Sequence, residues 1–190
     1  MIKKVILIGC FLSPAVAWIA HKPVRLFAPQ WVSGITCKSP TICIDDTSRY
    51  AQALELYNKA SQYINLSVGK IKNKPRIVFC STMSCFKSFG FNRAAAQTVG
   101  QLGIIISPRG WKYYYIRHEM IHHLQAEKMG TYSQWRSPAW FTEGMAYFLS
   151  QDPRETLAMP NQQHRIEFSK WYRLVGKENL WEAARNKQNL

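Results

Sequence analysis

The chain has 190 residues, of which 47% are hydrophobic and 13% aromatic, and this composition excludes an intrinsically disordered protein because it provides a sizeable apolar core. Its length predicts one compact domain. The formal net charge of +14 is spread along the chain rather than gathered in one basic stripe, which argues against nucleic acid as a partner. The charge either favours an anionic membrane or cell-wall surface as a partner or only keeps the protein soluble.

The first 20 residues have the composition of an export signal. Two lysines precede an uncharged run over 5–20, and the small residues that end at Ala17 predict cleavage after that residue. Trp18 and the basic residues that follow it are also typical of a retained anchor that ends at the membrane interface. A lipoprotein-type site at Cys10 is less favoured because it comes too early in the apolar run. This segment therefore predicts an extracytoplasmic protein that is periplasmic, secreted or membrane-anchored through residues 1–20.

Residues 21–44 contain three prolines and no sustained hydrophobic periodicity, and they predict a tether between the N-terminal segment and the folded part. The globular domain is predicted over 45–190. Its first element is an amphipathic helix over 47–66, in which apolar side chains recur every three or four residues and Asp46 or Thr47 is the N-cap.

Four cysteines outside the N-terminal segment lie in two close pairs, Cys37 with Cys43 and Cys80 with Cys85. The short separations favour a disulfide within each pair, although four cysteines allow three connectivities. Such disulfides indicate an oxidising compartment, in agreement with export. A zinc site made of all four thiolates is the alternative that these spacings favour less.

The later elements alternate between strands and helices. Residues 76–80 predict a short strand, and residues 97–107, which contain two glycines, predict a strand or hairpin. This second strand either lines a cleft, where its backbone can pair with an extended peptide, or lies in the core. Two helices over 162–174 and 177–187 are predicted to close the core. The fold class predicted from these elements is α+β, with a small mixed sheet packed on helices.

The most informative stretch is His-Glu-Met-Ile-His over 118–122, inside a segment over 111–128 that lacks Pro and Gly and predicts one helix. Two histidines four residues apart lie on one helix face, so both imidazoles can bind one metal ion. Glu119 between them is placed to take up a proton. His123 lies about 140° around the helix from His118, which predicts that it supports either the metal ligands or the fold and does not bind the metal itself.

A second segment, Ala-Trp-Phe-Thr-Glu-Gly-Met-Ala-Tyr-Phe over 139–148, lies on a helix predicted to begin near Pro138. Together the two segments resemble the gluzincin metallopeptidases, which have a peptidase MA-like domain and include thermolysin and the aminopeptidase-N-like enzymes. The resemblance covers roughly residues 97–150 and implies a minimal zincin-like domain. It also implies a Zn²⁺ ion bound by His118, His122 and Glu143, with Glu119 as the catalytic general base.

The ligand set has a chemical consequence of its own. Two neutral imidazoles and one carboxylate leave the fourth position of a tetrahedral zinc ion open for water, whereas a structural site is closed by a fourth protein ligand. The sequence therefore predicts an exported zinc-dependent peptidase that hydrolyses peptide bonds in a peptide or protein substrate. The residue that stabilises the oxyanion is left open among four candidates: Tyr132, Tyr147, His164 and Tyr172.

An alternative is a zinc-binding scaffold or interaction protein at the cell envelope with little or no catalytic activity. It is motivated by the short chain after Glu143, because thermolysin-like enzymes close their cleft with a larger C-terminal subdomain. The presence of Glu119 favours the enzyme, since a purely structural metal site has no need of a proton acceptor.

Overall fold

A computed structural model of the protein describes residues 18–186. The predicted cleavage after Ala17 and the alternative site at Cys10 lie outside the described residues. Within residues 18–186, no helix combines the length and the apolar character that a membrane crossing requires.

One five-stranded mixed sheet forms the centre of the fold, in the order β1-β2-β3-β5-β4. The three inner strands are parallel, and each outer strand is antiparallel to its neighbour. Every residue of the inner strands is buried, because both faces of the sheet are covered. The strands are β1 (Thr36–Cys37), β2 (Ile42–Ile44), β3 (Ile77–Phe79), β4 (Ala96–Val99) and β5 (Gly103–Ile106).

Six α-helical elements lie between residues 50 and 186. The larger hydrophobic core lies between one face of the sheet and the long helices, and a smaller core lies on the opposite face. The last helix is broken at Gly176, where φ is 75°, so it consists of two helical parts, as the sequence predicts. The helices are α1 (Tyr50–Ser67), α2 (Met83–Ser88), α3 (Tyr113–Met129), α4 (Thr131–Arg136), α5 (Ala139–Leu149) and α6 (Asn161–Asn186). The α+β class with a small mixed sheet on helices is thus confirmed.

The segment over 21–44 differs from the predicted tether. It forms two 3-10 turns, Lys22–Phe27 and Pro29–Trp31, followed by β1 and β2, and Leu26 is fully buried in the smaller core. The folded part therefore begins well before Asp45. Its apolar residues show no period because 3-10 turns and very short strands do not produce one.

Each disulfide joins the two cysteines of one close pair. Cys37 and Cys43 face each other across β1 and β2, and Cys80 at the end of β3 is bonded to Cys85 in α2. A four-thiolate zinc site is therefore excluded. The two disulfides indicate an oxidising, extracytoplasmic environment.

The β4–β5 hairpin lies next to the helix that carries the predicted metal-binding histidines. It corresponds to the strand or hairpin predicted over 97–107, and β4 is the outermost strand on its side of the sheet. β4 packs beside α3, the helix that contains residues 118–122. α5 packs against α3 as well, so α3 lies between the edge of the sheet and the helix that carries Glu143.

Candidate metal centre

Two helices bring the three predicted ligands together. α3 runs without a break through His118 and His122, and both side chains lie on one face because they are four residues apart. α5 begins after the extended residue Pro138 and carries Glu143 on its second turn. The next residue, Gly144, is in close contact with α6, since a Cβ atom placed there would lie 2.3 Å from the carbonyl oxygen of His164.

The ligand atoms form a compact triangle. Nε2 of His118 lies 3.1 Å from Nε2 of His122. The two carboxylate oxygens of Glu143 lie 3.5 Å from these nitrogens, one oxygen facing each imidazole. Two atoms bound to one zinc ion at about 2.1 Å and at the tetrahedral angle are about 3.4 Å apart. The spacing of His118, His122 and Glu143 therefore fits a single metal ion, and this group can hold one.

The charges of the triad depend on one another. Burial raises the pKa of Glu143, but hydrogen bonds to His118 and His122 outweigh burial and hold this pKa well below its usual range. Burial lowers the pKa of His122, but the carboxylates of Glu143 and Glu119 outweigh burial and raise this pKa to about 9. Without a metal, His122 and Glu143 thus form an ion pair at neutral pH. A metal cation competes with a proton for the Nε2 lone pair of His122.

The triad lies at the floor of an open cleft. The imidazoles of His118 and His122 are largely buried, whereas the Glu143 side chain is 39% exposed. On one side of the triad is a cavity of about 410 Å³, which α4 and α5 line together with Gln97 and Thr98 of β4. A second cavity of about 240 Å³ shares Gln97, His122 and Glu143 with the first, so the two cavities meet at the triad. A substrate chain that occupies both cavities crosses the triad.

Glu119 borders the smaller cavity together with all three triad residues. It is buried, and the hydroxyl of Thr98 in β4 donates a hydrogen bond of 2.7 Å to its Oε2 atom. The edge strand therefore fixes the carboxylate that the sequence singles out as a proton acceptor. The remaining oxygen, Oε1, is available to a water molecule in the cavity.

Two tyrosines line the smaller cavity. Tyr147, one of the four candidates for the oxyanion-stabilising residue, packs edge-on against the His118 ring at 4.5 Å between centroids. Its hydroxyl accepts a hydrogen bond of 3.1 Å from Nδ2 of Asn161. Tyr115 was not singled out by the sequence pattern, although its position three residues before His118 places it on the same helix face. The other three candidates line neither cavity: Tyr132, His164 and Tyr172.

His123 lies outside the triad, as helix geometry predicts. It is 2% exposed, and its Nε2 atom donates a hydrogen bond of 2.7 Å to the carbonyl oxygen of Asn73. Glu127, one turn further along α3, accepts hydrogen bonds from the backbone nitrogens of Lys72 and Asn73. Both side chains therefore attach α3 to the loop before β3 and take no part in the site.

Two glutamines support the triad and were not singled out by the sequence pattern. Gln125 is fully buried, and its Oε1 atom lies 2.9 Å from Nδ1 of His122. Gln134 in α4 donates a hydrogen bond of 2.8 Å to the backbone oxygen of His122. The spacing of three residues between His122 and Gln125 is a sequence signal for the first contact, because such residues are neighbours on a helix. No comparable signal exists for Gln134, which belongs to another helix.

Comparisons with models of known protein families, with curated protein sequences and with solved structures find no match.

Proposed function

We propose that the protein is an exported zinc-dependent peptidase of the gluzincin type that hydrolyses peptide bonds. The observation that supports this most directly is the triangle of His118, His122 and Glu143 ligand atoms at the floor of an open cleft, with the Glu119 carboxylate beside it. Three protein ligands leave a zinc ion one open position, which a catalytic site needs.

Zinc is the metal that the donor set favours. Imidazole nitrogen is a good ligand for zinc, whereas Mg²⁺ and Ca²⁺ prefer sites made entirely of oxygen. His122 also has the support typical of a zinc ligand, because its second ring nitrogen is hydrogen-bonded to a buried side chain.

Glu119 is the proposed general base. When bound, zinc supplies Lewis-acid polarisation of water and of the substrate carbonyl group. The Glu119 carboxylate, held by Thr98, accepts the proton of the attacking water and delivers it to the leaving amine. The hydroxyl-bearing rings of Tyr115 and Tyr147 line the same cavity and can donate hydrogen bonds to a substrate oxygen.

The edge strand β4 supports a peptide as the substrate. The backbone nitrogen of Ser107 donates to the carbonyl oxygen of Ala95, and bonded residues alternate along an antiparallel pair. The backbone groups of Ala96 and Thr98 therefore point away from β5, towards the open edge. Both residues line the cleft, so an extended peptide can add there as a further strand.

The proposed location is the periplasm, the exterior, or the outer side of a membrane to which the N-terminal segment anchors the protein. An extracytoplasmic peptidase with a net charge of +14 would work next to an anionic membrane or cell-wall surface.

The test compares Glu119→Gln with the wild-type protein on a mixed peptide library. We expect about one zinc per chain in both proteins and a loss of about 10²- to 10⁴-fold in the cleavage rate of the variant. Glu127→Gln is the matched control, because this glutamate of the same helix contacts a loop and not the cleft. Wild-type protein that folds without binding zinc contradicts the proposal. Zinc binding without cleavage of any peptide supports the scaffold alternative instead.

A further inference from the structure

We propose that Gln125, held by Gln134, is a positioning residue that fixes His122 in the tautomer whose Nε2 lone pair faces the metal. The inference rests on the proposed metal-binding function and concerns how the chain holds one metal ligand, His122, in the tautomer that can bind the metal. A metal-binding imidazole must be unprotonated at the coordinating nitrogen, and the proton of the neutral ring then lies on the other nitrogen.

Both ends of the Gln125 amide have partners. Its Oε1 atom lies 2.9 Å from Nδ1 of His122 and 3.1 Å from Nε2 of Gln134. Its Nε2 atom lies 2.9 Å from the carbonyl oxygen of Thr142 and 3.3 Å from the sulfur of Met145. The side chain is fully buried, so no solvent water competes for these positions.

A backbone carbonyl determines which way the amide points. The Thr142 carbonyl oxygen can only accept a hydrogen bond, so the amide must place its NH₂ group there. The amide oxygen must then face Nδ1 of His122, and this nitrogen must carry the hydrogen. In the neutral ring, Nε2 is left with a lone pair, and Nε2 is the atom that faces His118 and Glu143.

Gln134 adds a second constraint of the same kind. Its NH₂ group donates to the backbone oxygen of His122 at 2.8 Å, and this oxygen is again an obligate acceptor. The same group donates to Oε1 of Gln125, which can serve both donors because it has two lone pairs. The reversed orientation of either amide would place two acceptors or two donors against each other.

The network also connects the helices that hold the ligands. Gln125 belongs to α3 with both histidines, Gln134 belongs to α4, and Thr142 in α5 directly precedes Glu143. The Gln125 amide therefore contacts His122, a ligand on α3, and Thr142, the residue before the ligand Glu143 on α5. It sets the tautomer of His122 and restrains the distance from His122 to Glu143.

The test is the zinc dissociation constant of Gln125→Met, measured by competition with a chromophoric chelator at fixed pH. We expect it to rise about 10- to 100-fold, the usual effect of removing a partner of a metal-binding histidine. Gln101→Met is the control, because Gln101 also donates an amide hydrogen bond to α3, at the Ala126 carbonyl oxygen, but contacts no triad residue and lines neither cavity. We expect wild-type zinc affinity in that control.

A second measurement needs no variant. Long-range ¹H–¹⁵N NMR of the zinc-loaded wild-type protein should show His122 protonated at Nδ1 and bound to the metal through Nε2. Metal on Nδ1 overturns the inference, and so does a Gln125→Met protein that binds zinc as tightly as the wild type. A wild-type protein that binds no zinc overturns both the proposed function and this inference. The other two outcomes overturn only the inference, because zinc is still bound in them.

Discussion

At the scale of single residues, charges in and beside the cleft are satisfied in pairs. Glu143 is paired with the imidazoles, and the buried carboxylate of Asp152 is paired with Arg154, whose Nε atom lies 2.9 and 3.1 Å from its two oxygens. The Arg154 guanidinium also lies 5.9 Å from the centre of the Tyr147 ring. The ion pair beside the cleft therefore supports a side chain that lines the smaller cavity.

Asp152→Asn should reduce stability in a pH-dependent way. Burial raises the pKa of Asp152, but hydrogen bonds from Arg154 outweigh burial and hold this pKa below its ordinary value. The stabilisation is therefore present above the ordinary pKa of about 3.9 and is lost as the pH falls through the lower folded-state pKa. We expect a loss of about 1–2 kcal/mol at pH 7, because water screens the partly exposed Arg154.

Urea unfolding of both proteins at a series of pH values measures this effect. The difference in the free energy of unfolding should be largest at pH 7 and should shrink below about pH 4. A difference that does not change with pH would assign the loss to packing rather than to the charge of Asp152.

At the scale of the elements, β4 contributes to the candidate site in two ways. Its side chains reach the site, since Thr98 binds Glu119, and its outer backbone edge is open to the cleft. The hairpin was predictable because its glycines and the apolar run of β5 are strong local signals. Helix α4, with six residues, was not predicted, because so short a helix has no measurable period. The contact between Gln134 and His122 could therefore not be predicted from the sequence.

Ala96→Pro should impair peptide cleavage without unfolding the sheet. The backbone N–H of Ala96 faces the open edge, so the sheet loses no hydrogen bond when proline removes it. A substrate that pairs with β4 loses one hydrogen bond, and we expect kcat/KM to fall about 3- to 10-fold. Steady-state kinetics and thermal unfolding measure the two effects.

The neighbouring position provides the control for the edge-strand prediction. Gln97 faces Ile105 in a bonded pair, so Gln97→Pro removes a hydrogen bond from the sheet and should lower the unfolding temperature. Unchanged kcat/KM in a folded Ala96→Pro protein would contradict recognition by strand addition.

At the scale of the whole molecule, the two sides of the sheet have different tasks. The long helices and the candidate metal site lie on one side, and the 3-10 turns before β1, α2 and both disulfides lie on the other. The helical side was largely predictable, since α1, α3 and α5 have clear periodicity or clear start signals. The other side was not predictable from the sequence. Leu26 and Val32 belong to irregular turns, and these side chains become buried only when the turns pack on the complete sheet.

Removal of the metal should destabilise the whole domain. An ion present at 100 times its dissociation constant contributes about 2.7 kcal/mol to folding, which for a chain of this size is about 5–10 °C in Tm. We expect EDTA to lower the Tm of the zinc-loaded protein by this amount, as measured by calorimetry. Glu143→Ala is the control and should show little change on chelation. An equal decrease in that variant would place the stabilising ion elsewhere.

The folded segment over 22–44 limits how far the protein can reach. Because the first 3-10 turn begins at Lys22, only His21 separates it from the anchor predicted over 1–20. A single residue spans at most about 4 Å. If the anchor is retained, the domain is therefore held against the bilayer and cannot search the surrounding volume. Its substrates would then be chains that lie at, or emerge from, the same membrane.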